Sequence, residues 1–169
     1  MPAPLDGPGV DVSDPRELLL GYLDWYRDAA QRKLAGLTDE QLRTPVGPLD
    51  WSPLGLLKHL GWVERRWLRW GFRAEDVLPN PPGGDPAEFG VAGQPTEVVL
   101  DFYRDEVAQG RAAIAGAELT EQAQVGGRFP TAAEAPTLIR ILFHLLQEYA
   151  RHVGHLDIAR ELIDGTKGE

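Results

Sequence analysis

Residues 137–165 read TLIRILFHLLQEYARHVGHLDIARELIDG, and the reading of this stretch decides the fold. Leu138, Ile141, Leu142, Leu145, Tyr149, Val153 and Leu156 recur at helical spacing, and no Pro or Gly interrupts the run before Gly154. The spacing predicts one helix from about Thr137 to Ile163, with Gly165 as its stop, roughly 40 Å long at 1.5 Å per residue. A helix of that length spans a whole small domain and needs partners of similar length along its apolar stripe.

Those partners lie upstream. Asp14 offers an N-cap and Pro15 a first helical residue, and Leu19, Tyr22, Leu23, Tyr26, Ala30 and Leu34 continue at helical spacing to Gly36. Thr38 with Gln41 caps a short turn before Pro45. Ser52-Pro53 opens a second long helix through Leu56, Leu57, Leu60, Val63, Trp67 and Trp70, fading near Phe72. Residues 79–95 hold too many Pro and Gly residues for regular structure and read as one long loop. Thr96 is placed to cap a third helix, with Val99, Leu100, Tyr103 and Val107 on its apolar face. A second Gly/Pro-rich loop, roughly 116–136, contains GGRFP and AEAP. Four long amphipathic helices with no strand-like alternation imply an all-α four-helix bundle with long loops between helices two and three and between three and four. Residues 1–13 read as a loose lead-in and 14–169 as one domain.

Bulk composition narrows the function. The 169 residues carry a formal net charge of -9, which disfavours nucleic acid and anionic membranes as partners. No cysteine occurs, so disulfides, thiolate metal sites and a cysteine nucleophile are excluded within this sequence. The N-terminal stretch lacks the basic and apolar regions of a signal peptide, and no run of eighteen apolar residues exists; a cytoplasmic location is expected.

The four histidines are the most informative residues. His144, Glu148, His152 and His155 fall at roughly 0°, 40°, 80° and 20° around the last helix and share one stripe. A carboxylate and an imidazole at i and i+4 can converge on one ion, here Glu148 and His152. His59, in LLKHLGWVERRW, is flanked by Leu56, Leu60 and Val63 and is expected to face inward as a third ligand. Two imidazoles and a carboxylate suit Zn²⁺ first, with Ni²⁺, Fe²⁺ or Mn²⁺ as alternatives. The same residues also suit a polar seam of hydrogen-bonded histidines, and spacing leaves both readings open.

The segments HLLQEYARHVGHLDIARELIDG and WSPLGLLKHLGWVERRW resemble the DinB-like metalloprotein superfamily, and more narrowly its actinobacterial branch related to mycothiol-dependent transferases. The resemblance covers nearly the whole chain. It implies a bundle whose metal is held by a histidine on helix two and an H-x-x-x-H pair on the last helix, often followed by R-G-Q. His59 and His152 match two ligands, Gly154 matches the glycine, and Glu148 stands where many members carry histidine, as in the related maleylpyruvate isomerase-type enzymes. His155 stands where others carry glutamine, on the substrate side, where it would orient a cofactor or shuttle a proton; Arg151 would meet the thiol's polar groups. The resemblance further implies a transferase or isomerase that joins a low-molecular-weight thiol, mycothiol foremost, to a small-molecule electrophile. A hydrolase acting through a metal-activated water and a non-catalytic metal-binding or stress-response bundle are the rival expectations. Trp51, Trp62, Trp67 and Trp70 cluster on or beside helix two and read as core or interface, which makes a homodimer conceivable.

Overall fold

A computed structural model describes residues 7–167. The long helices are α1 (Pro15–Leu34), α3 (Pro53–Glu64), α5 (Thr96–Ala113) and α6 (Leu138–Asp164), with two short helices, α2 (Asp39–Arg43) and α4 (Asp85–Phe89), between them. Among the described residues there is no strand, only two isolated bridges in the α5–α6 connection. The architecture is the expected all-α bundle. α1 packs chiefly on α6 and α3 on α5, while α3 also contacts α1 and α6.

The caps explain where the helices begin. The Asp14 carboxylate accepts hydrogen bonds from the Arg16 and Glu17 backbone, at 3.0 and 2.9 Å. Thr38 and Gln41 form a reciprocal capping box that turns the expected short turn into α2. Ser52 accepts from Gly55 N at 3.1 Å and precedes Pro53, a cap worth about 1 kcal/mol. Gly165 ends α6.

Four local expectations need correction. Residues 79–95 are not wholly irregular, because Asp85–Phe89 forms α4, and that single turn carries a side chain into the site. Thr96 is the first residue of α5 and does not cap it; Pro95 holds the cap position, and the Thr96 hydroxyl bonds Asp39 and Arg43 instead. The helix begun at Pro53 does not fade toward Phe72 but changes to a π-helix over Arg65–Phe72. Finally, the part of the lead-in that lies within the described residues rests on α1, where Pro8 fills the space beside Gly21; residues 1–6 fall outside the described part.

The core is built from the predicted stripes, with Leu23, Leu57, Leu60, Leu68, Leu142 and Leu145 all fully buried. Truncating one of these to Ala would cost about 2–5 kcal/mol. One polar network interrupts this apolar packing. Arg27 of α1 donates from Nε and Nη2 to both carboxylate oxygens of Glu64 at 2.8 and 2.9 Å. The Tyr149 hydroxyl donates to Glu64 Oε1 at 2.7 Å, and the Tyr103 hydroxyl donates to the Arg27 carbonyl at 3.2 Å. All four side chains are essentially solvent-free. The network ties α1, α3, α5 and α6 together and fixes the rotation of α6, and hence the direction of Glu148, which precedes Tyr149.

Candidate metal centre

α3 and α6 bring His59, Glu148 and His152 together. One ligand atom from each lies within 4.8 Å of the others. The i,i+4 spacing on α6 places His152 Nε2 3.3 Å from Glu148 Oε2, and His144 Nε2 3.2 Å from Glu148 Oε1. The apolar neighbours of His59 turn it inward, and its ring meets that of His152 edge-on at 4.8 Å between centroids.

Two nitrogens in this group stand out. His59 Nε2 and His152 Nδ1 are both buried and have no hydrogen-bond partner. Buried polar atoms are nearly always satisfied, so two orphaned imidazole nitrogens beside a carboxylate are the pattern a bound cation would complete. The donor set therefore fits a divalent metal.

The surroundings hold these groups in ligand-ready forms. The hydrogen bond from His152 holds the Glu148 carboxyl below the ordinary carboxylate range, against the opposing pull of burial. Burial pushes the His144 and His155 imidazoles toward their neutral forms, assisted by the nearby positive charge of Arg151. Ligation needs an ionised carboxylate and neutral imidazoles, so these shifts agree in direction with metal binding.

Glu88 of α4 is the residue that sequence reasoning missed. Its Oε1 lies 2.6 Å from His59 Nδ1, and its Oε2 accepts from Arg66 Nη2 at 2.6 Å. Burial disfavours the Glu88 charge, yet the bonds to His59 and Arg66 outweigh it and keep the carboxyl below its usual range. An ionised carboxylate can only accept, so the proton of His59 sits on Nδ1 and the lone pair on Nε2. This carboxylate–histidine pairing orients many metal-bound imidazoles. Phe89, next in the chain, stacks on the His59 ring at 4.5 Å and 12°.

Aromatic side chains flank the stripe at both ends. Trp67 of the π-helical segment lies 4.1 Å from His144, and Trp51 lies 5.8 Å from His155. His155 also meets His152 at 5.4 Å, beside a cleft of about 450 Å³ lined by Trp51, Phe89 and Asp85. Arg151 is solvent-exposed on the adjacent face of α6. Trp62 is buried against Phe102, and Trp67 faces His144, so the aromatic surface that suggested a homodimer is largely used within the chain. Phe143, expected as cover for the site, is instead mostly exposed on the rim of a second cleft.

The pattern described as Mycothiol-S-transferase matches residues 18–165, from α1 through the end of α6. The chain belongs to this DinB-like family. No curated protein matches the chain. Among solved structures, a conserved protein from Enterococcus faecalis shares 19% identity with a TM-score of 0.62, over 92% of this chain and 100% of its own. That likeness shows a shared fold. Among the described residues, no helix of this family member is long and apolar enough to cross a membrane.

Proposed function

We propose that the protein is a metal-dependent thiol S-transferase, in which His59, Glu148 and His152 hold one divalent ion, Zn²⁺ foremost, and the thiol is mycothiol or a close relative. The observation that carries this reading is the pair of orphaned imidazole nitrogens on either side of an ionised glutamate, in a cysteine-free member of a thiol-transferase family. When bound, the metal supplies the positive charge that keeps a thiol in its nucleophilic form near neutral pH.

The chain's own residues do the rest. Glu88 holds the His59 proton on Nδ1 and so keeps Nε2 available. Phe89 and Trp51 cover the site and restrict water on the side where the thiol's body would lie. His155, held toward its neutral form, takes up the proton that the thiol loses as it enters. Arg151, exposed one turn away, meets polar groups on the thiol's carrier. Since no cysteine is present, the nucleophilic sulfur comes from outside the chain.

Elemental analysis of protein purified without chelators or a metal-binding tag tests the ligand set. About one equivalent of metal is expected in the wild type, and a large loss in each of His59→Ala, Glu148→Ala and His152→Ala. Turnover is expected only when a thiol is supplied. Turnover without thiol would assign the site to hydrolysis, and a chain that takes up no divalent metal would remove the reading altogether.

A further inference from the structure

The GGRFP run, residues 126–130 of the α5–α6 connection, has no role in the metal centre, yet it is pinned against it. Gly127 approaches the π-helical segment so closely that a Cβ there would stand 2.2 Å from the Trp70 carbonyl oxygen. Gln124 N donates to Phe72 O at 2.9 Å, and Arg128 N to Trp70 O at 3.4 Å. This docking sets the Arg128 guanidinium 4.1 Å over the Trp67 ring, with Trp70 at 5.8 Å. Trp67 in turn packs on His144, and His144 reaches Glu148. An Arg–Trp–His stack thus ends on a candidate metal ligand.

A cleft of about 560 Å³ opens beside this stack, lined by Trp67, Ile139, Arg140, Phe143, His144 and Gln147. Its charge is anomalous for a protein of net charge -9. Arg27, Arg43, Arg65, Arg66, Arg69 and Arg73 each reach a carboxylate. Arg128, though half-buried, has no such partner among the described residues, and neither does Arg140 on the first turn of α6. Burial and the neighbouring Arg66 both disfavour the Arg128 charge. A desolvated cation without a counterion is costly, and an arriving oxyanion would relieve that cost while finding a planar donor already held in place by the tryptophan.

We propose that this cleft binds the electrophilic co-substrate, and that this co-substrate carries a carboxylate or similar oxyanion set on Arg128 and Arg140, with its apolar body against Trp67, Ile139 and Phe143. That the ligand is the electrophile rests on the thiol-transfer reading above; that the cleft takes an anion does not. For an activated alkene of this kind, the thiol sulfur forms a C–S bond to one alkene carbon. The π pair moves to the other carbon, which takes the proton the thiol gave up, so no oxidant or reductant is needed.

Two measurements separate the claims. Calorimetric titration at low ionic strength compares benzoate with neutral benzamide on zinc-loaded wild type and on Arg128→Gln, Arg140→Gln, Arg128→Lys and the remote Arg104→Gln. Benzoate is expected to bind about tenfold more tightly than benzamide, a preference worth one charge-assisted contact. Arg128→Gln and Arg140→Gln should each remove most of it, with Arg128→Lys retaining part and Arg104→Gln all of it. Arg140 is exposed, so its variant tests the proposal even if Arg128→Gln folds poorly. Equal binding of the two probes, or an undiminished preference in both glutamine variants, would overturn the anion subsite. In the second measurement, thiol addition to N-(4-carboxyphenyl)maleimide is compared with addition to N-phenylmaleimide. A higher kcat/KM for the carboxylate, abolished in Arg140→Gln, supports the full proposal. Thiol-dependent turnover that ignores the carboxylate overturns it while leaving the transferase reading intact. Arginine-dependent benzoate binding without any turnover overturns the transferase assignment and leaves the anion site supported.

Discussion

Two polar clusters sit side by side on the same pair of helices and are built on opposite terms. The Arg27–Glu64–Tyr149–Tyr103 network is closed: both oxygens of Glu64 accept from Arg27, and Tyr149 adds a third bond. Glu148, His59 and His152 lie one residue from Tyr149 and within two turns of Glu64, yet two of their nitrogens are left without a partner. A closed buried network spends its polarity on holding the helices in one arrangement. An open one keeps donor atoms in reserve for something the chain does not itself provide. Adjacent positions such as Glu148 and Tyr149 can therefore serve different ends, since neighbours on a helix point about 100° apart.

The comparison can be broken by experiment, and the largest effect should come from the closed cluster. Glu64→Ala strands the Arg27 charge in the core and should cost about 3–5 kcal/mol in chemical denaturation. A loss below about 1 kcal/mol would show that the network is not what fixes the helices. Next is the bond that supports the open cluster. Glu88→Gln should weaken zinc affinity roughly 10- to 100-fold by freeing the His59 ring, measured by competition with a chelator. The same variant carries a pH signature in metal-free protein. Because the folded pKa of Glu88 is depressed below its ordinary 4.5, its ionised form adds stability above that pH, and this is lost as pH falls through the folded value. Denaturant midpoints of the wild type should therefore drop more steeply in acid than those of Glu88→Gln. The smallest effect is expected at the open cluster itself. His152→Leu should shift metal-free stability by less than about 1 kcal/mol while abolishing metal binding, since the imidazole it removes had an unmet nitrogen. A loss comparable to that of Glu64→Ala would erase the distinction between the clusters.

Much of this was legible in the sequence, for reasons that are local. Asp14, Thr38 with Gln41, and Ser52-Pro53 each act on backbone groups within three residues, so their consequences can be read in place. The α6 stripe of His144, Glu148, His152 and His155 follows from helical geometry alone, and the inward turn of His59 from its leucine neighbours. Glu88 was illegible because it acts 29 positions from His59 in a Pro/Gly-rich stretch whose periodicity predicts nothing. Arg27 could have been found: it shares a stripe with Leu23, Ala30 and Leu34, a position where a charge demands a buried partner. Glu64 follows Leu57 and Leu60 in the same way. Arg128 carried only the weaker hint of an arginine behind two glycines, and its meaning depends on which surface the loop lies against.

The change from α- to π-helical winding at Arg65 bears on how this protein tolerates insertions and deletions. Over Arg65–Phe72 the ladder runs with one more residue per hydrogen-bonded ring than in α3 before it. Losing a single residue there could restore ordinary winding at little cost to the backbone, but everything downstream would swing by about 100°. Leu68 and Phe72 would leave the core, and Trp67 and Trp70 would abandon the surface on which the GGRFP loop is seated. Length variation in relatives of this chain should accordingly collect in the connections at 44–52 and 74–84, while the count of residues between His59 and Phe72 stays fixed.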